Sequence, residues 1–346
     1  MSRLAEFIAR RMRRDTGAMQ GAACVYVSSK ALATAKLHVG DGSGGRSEAS
    51  QISLRADPLE DLSELGACLK SQLASLSLTK SERQHVNMVL APEFYPLLMV
   101  DKPQATSDEI NDAARWQIQE QVDFDVADAV LDTFPLPDGA TREREMIYVA
   151  AVQNPLLKGI VGELQAAGLS LRSVDIAELA LRNLAWHCFP MADQSVALLR
   201  LSTSSGLINL SRGPDLYLAR RISGVPADLS NQAWQDFRER LLLQVQRSVD
   251  YYEGTMGQPG CNLLIVASTH SWNETVCDYL AEQLPIPVRS VGQTLAGELD
   301  LVLHNPEARL VDWDAMDIEQ RNALAAGLPA VGGVLRETLH RVAEAA

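Results

Sequence analysis

Three apolar stretches, VALLRL, LINLSR and LYLARRI, follow one another between residues 196 and 222, separated only by short turns. Ser202-Thr203-Ser204-Ser205-Gly206 joins the first to the second, and Gly213-Pro214-Asp215 joins the second to the third. A parallel crossover needs about a dozen residues, so turns this short leave antiparallel pairing and predict a three-stranded meander. A helical pattern comes next, in which Trp234, Phe237, Leu241, Val245, Val249 and Tyr252 recur at spacings of three and four and form one buried stripe. NLLIVAS then reads as a strand, Trp272 to Leu284 as a helix, PVRSV as a strand, and PAVGGVLRETLHRVAEA as a closing helix.

The first half repeats that order. CVYVSS and ATAKLHV read as paired strands, GDGSGGRSEAS as a loop or hairpin tip, QISLRA as a third strand, Leu59 to Leu76 as a helix, and HVNMVLAP as a buried strand. A compact middle section follows, where Thr106-x-x-Glu109 after Pro103 predicts a helix beginning near Ser107 and carrying Trp116 and Ile118. It closes on a strand ending at Pro135-Leu136-Pro137. MIYVAAV returns to core strand character, and two helices with a strand between them complete the half. The expected class is mixed α/β, two lobes of one design with a small subdomain inserted into the first.

Composition excludes several alternatives. A chain of 346 residues, 47% hydrophobic, has room for two lobes. Its net charge of -13 argues against nucleic acid as a partner, because a phosphate backbone would be repelled. Runs such as CNLLIVA fall short of the roughly 18 to 20 apolar residues needed to cross a bilayer, and the N-terminus lacks a secretory apolar core. The expected location is the cytoplasm. Cys24, Cys68, Cys188, Cys261 and Cys277 are scattered without a CxxC pair, which suggests reduced structural thiols and neither a disulfide framework nor a zinc site. The opening MSRLAEFIARRMRRD sets Arg3, Arg10, Arg11, Arg13 and Arg14 around Leu4, Phe7, Ile8 and Met12. It is either a basic amphipathic helix able to rest on anionic lipid or a solvated leader.

The duplicated layout with its inserted subdomain resembles the actin-like ATPase fold in its FtsA and PilM variety. LQVQRSVDYYEG resembles the long-helix motif of the PilM family, DEINDAARWQIQEQVDFDVADAVLDTFPLP its inserted subdomain, and LAAGLPAVGGVLRE its small-residue C-terminal helix. RWQIQEQVDFDVADAVLD, VDIAELALRNL and RSVDYYE are together similar to the MSHA biogenesis (MshI) branch, and the resemblance spans residues 20 to 340. It implies a leader over 1–20, a first lobe over 21–92 and 146–192, an insert over 93–145, and a second lobe over 193–346.

In such a fold, turns in both lobes offer backbone N–H groups and an aspartate to phosphates and hydrated metal. The family's Asp-x-Gly in the first turn falls on Tyr26 and Ser28, and in the second on Arg200 and Ser202, with Ser205 and Gly206 beside it. The glycine-rich third turn falls on Ala267-Ser268-Thr269-His270. Each added Cβ narrows the space for close backbone approach. Losing both carboxylates removes the metal-water ligands that phosphoryl transfer depends on. The altered loops therefore imply no catalysis, no metal and no cofactor, ATP being the one ligand to be considered. Arg200 could attract a phosphate or be held inside the protein. The six histidines are isolated, no HExxH, G-x-S-x-G or Walker-type loop occurs, and Glu120, Asp123 and Asp125 read as a solvated helix end.

The resemblance implies a cytoplasmic scaffold of a type IV pilus machine, peripheral to the inner membrane, that grips the cytoplasmic tail of a bitopic PilN- or MshJ-like partner. The tail is expected in the groove between first lobe and insert, with Tyr95, Trp116 and Phe124 as exposed aromatic anchors. The alternatives are an ATP-binding switch or ATPase of the same machine, and a GspL-like cytoplasmic domain of type II secretion.

Overall fold

The computed structural model describes residues 22–38, 51–106, 109–141, 144–189, 193–202, 205–226, 231–268, 273–295, 300–304, 307–309 and 316–345. The basic leader, the loop over 39–50 and the Thr269-His270 pair lie outside them.

Strands β1 (Ala22–Val27), β2 (Ala31–His38) and β3 (Gln51–Pro58) form the first meander. A 3-10 turn capped by Asp61 leads into helix α1 (Leu65–Leu76), so the helix begins later than Leu59. Helix α2 (Lys80–Arg83) opens on a Thr79/Glu82 capping box, and β4 (Val86–Leu90) pairs with β1 in parallel. β1 is buried on both sides. Its odd residues Ala23, Val25 and Val27 face α1, while Cys24 and Tyr26 face a second core on the other side of the sheet. A strand covered on both faces reads as a continuous apolar run, as CVYV does.

The inserted subdomain follows, built from β5 (Leu97–Asp101), α3 (Ile110–Ile118), β6 (Ala129–Pro135) and β7 (Met146–Gln153), with sheet order β5-β7-β6. Two expectations are corrected here. MIYVAAV is β7, the central strand of the insert sheet rather than a strand of the first lobe. Helix α3 begins at Ile110 and not near Ser107, because the Thr106 hydroxyl donates to the Glu109 carboxylate (2.9 Å) and caps no helical N–H. Glu120, Asp123 and Asp125 are exposed just past the helix, and Asp125 caps the next turn through the Ala127 N–H.

Helix α4 (Asn154–Ala166), β8 (Leu171–Ile176) and α5 (Ala177–Cys188) return the chain to the first lobe. The second lobe repeats the first with β9 (Ser195–Leu201), β10 (Gly206–Arg212), β11 (Asp215–Ile222), α6 (Asn231–Asp250), β12 (Cys261–Ser268), α7 (Asn273–Gln283), β13 (Val288–Ser290) and α8 (Val291–Leu295). Its sheet order, β11-β10-β9-β12-β13, matches β3-β2-β1-β4-β8 strand for strand. Phe237, Leu241, Val245 and Tyr252 are fully buried, and Trp234 packs edge-on against Tyr279. The DYYEG end of α6 loosens into a π-turn from which the Tyr252 hydroxyl meets the Ser195 hydroxyl (2.8 Å) and Glu253 accepts from the Cys261 N–H (2.8 Å). That motif fastens the starts of β9 and β12.

The C-terminal segment departs from the expected second lobe. β14 (Asp300–His304) pairs in parallel with β3 and carries β15 (Glu307–Arg309), so both strands extend the first sheet. Helix α9 (Ile318–Ala345) starts before the expected PAVGG and packs on β1, β2, β3 and α5. Its glycines permit that contact: a Cβ at Gly332 would stand 1.9 Å from the Ala180 carbonyl oxygen, and one at Gly333 would stand 2.3 Å from Cys24 Sγ. Among the described residues, no helix is long and apolar enough to cross a membrane.

Candidate functional site

The corresponding turns of the two lobes, β1–β2 and β9–β10, open onto one cavity of about 770 Å³, whose far wall is the first part of α9. Five residues singled out from the sequence, Tyr26, Ser28, Arg200, Ser202 and Ser205, meet there, with Lys30, Asp57, Glu93, Glu319 and Asn322 around them. Ser268 is buried at the end of β12 beside Leu201 and does not line the cavity, and Thr269 is outside the described residues. Gly206 opens β10, where a Cβ would come within 2.7 Å of Ile222 Cβ. Its small size serves strand approach.

A phosphate cradle needs backbone N–H groups left for the ligand. In the first turn each is already spent. The Ser28 N–H donates to the Ala31 carbonyl (3.0 Å), and the Lys30 and Ala31 N–H groups donate to the Ser28 hydroxyl oxygen (3.2 and 2.8 Å). The Ser29 N–H donates to the Glu93 carboxylate (2.9 Å). Lys30 Nζ donates to the Glu60 carbonyl at 2.8 Å. In the second turn the Ser202 N–H and hydroxyl both donate to the Ser205 carbonyl (2.8 and 3.0 Å).

Arg200 is only 6% exposed and faces inward. Its Nε donates to the Ala325 carbonyl (3.2 Å) and Nη2 to the Ala326 carbonyl (3.3 Å), both in α9. Ala325 lies four residues before Pro329, which has no N–H to give it, so Arg200 replaces the missing helical bond. The guanidinium also stands 5.4 Å from the centre of the Tyr26 ring. Burial pushes the Tyr26 hydroxyl up to about 12, against the pull of Arg200. A phenol this deep in its neutral form offers no metal ligand.

The expected anchors separate. Trp116 is 74% exposed on α3, and Phe124 is half-buried against the insert core. Tyr95 corrects the expectation of an exposed anchor, since it is only 2% exposed. Its hydroxyl donates to an oxygen of the buried Glu178 carboxyl and accepts from the Ala177 N–H (3.0 Å), fixing the approach to the insert against the start of α5. Arg221 of β11 donates to the Pro92 and Tyr95 carbonyls of the same turn. Burial raises the Glu178 carboxyl above its ordinary range.

Sequence reasoning missed Glu93. The signal was present in LAPEF: β4 runs parallel to β1 with Leu90 beside Val27, so a carboxylate just past β4 emerges next to the β1–β2 turn.

No protein-family model and no curated protein matches the chain. Among solved structures it is similar to a chain of a PilM-PilN type IV pilus biogenesis complex, at 17% identity and TM-score 0.66, covering 91% of this chain and 98% of that one. A Bacteroides thetaiotaomicron protein with an actin-like ATPase fold matches at 11% identity and TM-score 0.49, covering 80% and 92%. The cytoplasmic domain of EpsL, from the type II secretion system of Vibrio cholerae, matches at 15% and 0.43, covering 88% and 94%. With its two sheets of one strand order and an insert after the fourth strand, the chain has the actin-like fold.

Proposed function

We propose that the chain is a non-enzymatic scaffold of a type IV pilus assembly machine of the MSHA type, cytoplasmic and peripheral to the inner membrane. It binds the cytoplasmic tail of a bitopic PilN- or MshJ-like partner, and its nucleotide site is degenerate. The observation that carries the reading is the closed first turn: every N–H from Ser28 to Ala31 is satisfied from within the protein. The machine and the partner class are supported by the likeness to a chain of a PilM-PilN complex. Trp116, exposed on the insert, is the anchor offered to the tail, with Phe124 beside the same core. Arg3, Arg10, Arg11, Arg13 and Arg14 would add contact with anionic lipid.

The test is fluorescence polarisation of a labelled PilN-type tail peptide against the full chain, with and without magnesium-ATP, and with a GspL-partner tail as comparison. Saturable binding of the first peptide, indifferent to ATP, is the expected result. Binding of the secretion tail alone would transfer the chain to that machine.

The cavity between the lobes favours a second reading, an ATP-binding switch or ATPase. A magnesium-ATP Kd tighter than ~10 μM, about -7 kcal/mol, would establish it over the degenerate site.

A further inference from the structure

The insert follows a strand of the first lobe, yet it is fastened to the second. Strand β11 ends the second sheet, so its outer edge carries backbone groups that no neighbouring strand takes up. Tyr148, in β7 and only 1% exposed, reaches that edge: its hydroxyl donates to the Tyr217 carbonyl (3.1 Å) and accepts from the Ala219 N–H (3.2 Å). One side chain thereby supplies the donor and the acceptor that a residue of an adjacent strand would supply. Phe134 stacks on the Tyr148 ring with centres 5.1 Å apart, and Leu136 and Ala140 are buried with it in the second lobe's core. Farther along the same strand, Arg221 donates to the Pro92 and Tyr95 carbonyls at the entry to the insert. Arg221 is next to Ile222, which pairs with Gly206 beside the β9–β10 turn, whereas Glu93, in the entry turn itself, accepts the Ser29 N–H of the β1–β2 turn (2.9 Å). The entry turn is thus bonded to both lobes on the side where the cavity opens.

We propose that the insert is a strap that fixes the angle between the two lobes, with Tyr148 and Arg221 as its two catches. The lobes share an apolar core with α5 and α9, and burial of that kind is non-directional, so it resists separation more than rotation. Asn209 and Arg200 also cross between the lobes, but both end on carbonyls of α5 and α9 themselves (2.8 and 3.2 Å). The two catches stand apart from those helices, on the insert and its entry turn, where they act against rotation about them. Opening the cleft means parting both, which strips the Tyr217 carbonyl and the Ala219 N–H of their partner. The lobe angle is therefore set by the protein's own insert. The proposal does not depend on which partner or machine the chain serves, because it is tested on the chain alone.

Spin labels on Lys70→Cys in α1 and Glu282→Cys in α7, both exposed positions, report the distance between the lobes in the full-length chain. The half-buried Cys68 and Cys277 are changed to serine throughout. With the strap intact, double electron–electron resonance should give one narrow distance distribution. Tyr148→Phe combined with Arg221→Gln should broaden it and move its mean by several ångströms, as lobe rotation does. Arg220 provides the control, since it lies over the Tyr251 ring (4.5 Å) and donates to the Arg247 carbonyl (3.3 Å), all within the second lobe. Arg220→Gln should leave the distribution narrow. A double variant that melts cooperatively and keeps the narrow distribution overturns the strap, as does a distribution already broad with both catches in place. Equal broadening by Arg220→Gln overturns it too, since β11 would then have loosened within its own lobe. Should the double variant fail to melt cooperatively, Arg221→Gln decides alone: a broader distribution supports the strap, and an unchanged one overturns it.

Discussion

Arg200 and Pro329 compensate for one another across the boundary between the lobes: the Arg200 Nε satisfies, at 3.2 Å, the Ala325 carbonyl that the proline leaves without its helical donor. A buried arginine at the end of β9 is thereby explained by a helix from far along the chain. Arg200→Met leaves that oxygen buried and unpaired, which costs about 1–3 kcal/mol. In a Pro329→Ala background the Ala330-side turn regains an N–H at position 329, so the same substitution should cost measurably less. Urea midpoints of the four chains check the coupling, and strict additivity would dissociate the two residues.

Glu178 should make stability fall as pH rises. Its carboxyl is held above the ordinary range chiefly by burial, against the hydrogen bond from Tyr95 and the nearby Arg221, with Asp175 adding to the rise. The folded chain therefore keeps a proton that the unfolded chain has released, and the stability this supplies is lost as pH rises from the ordinary carboxylate value through the raised one. Glu178→Gln removes the titration and retains an acceptor for Tyr95. Its melting temperature relative to wild type should increase as pH rises above the ordinary carboxylate range, and a difference constant with pH would show that Glu178 does not titrate there.

Trp116 and Tyr95 should behave oppositely. Trp116→Ala should leave stability within about 0.5 kcal/mol of wild type and weaken tail-peptide binding by roughly tenfold or more. Tyr95→Phe deprives Glu178 of a donor and the Ala177 N–H of an acceptor. It should cost about 1–3 kcal/mol while peptide affinity, measured below the melting transition, stays unchanged.

At Gly332 a single methyl group should suffice to loosen α9 against α5. A Cβ there meets backbone, the Ala180 carbonyl, which cannot rotate aside. Overpacking of this kind costs about 1–3 kcal/mol or more. Gly332→Ala should lower the melting temperature by several degrees, whereas Gly159→Ala, with open space around it, should not.

The duplicated strand order was legible because period and turn length are local. VALLRL, LINLSR and LYLARRI could pair in little other than a meander, and the α6 stripe announced its buried face. Strand membership was not local. MIYVAAV looks equally at home in either sheet, since an apolar run states that it is covered and not by what. Asp300 to His304 gave no sign that its partner was β3, where Asp300 stands beside Gln51. At the site, the cavity residues of the two turns could be placed from their strands, but the Arg200 bond to the Ala325 carbonyl depends on contact between distant segments. Tyr95 was misread for the same reason: an aromatic beside a proline at a subdomain edge is exposed or buried according to what arrives opposite, and Glu178 arrives there.

The arrival of β14 and α9 on the first sheet sets the order in which this chain can be completed. During synthesis the core around Cys24, Tyr26 and Val89 waits for its cover, because Leu324, Leu328 and Val331 are made long after it. Neither lobe is therefore a separable piece. A fragment ending near residue 195 would carry a naked apolar sheet face and a free β3 edge, open to aggregation, and the N-terminal half reaches its native form only after β14 and α9 have been made.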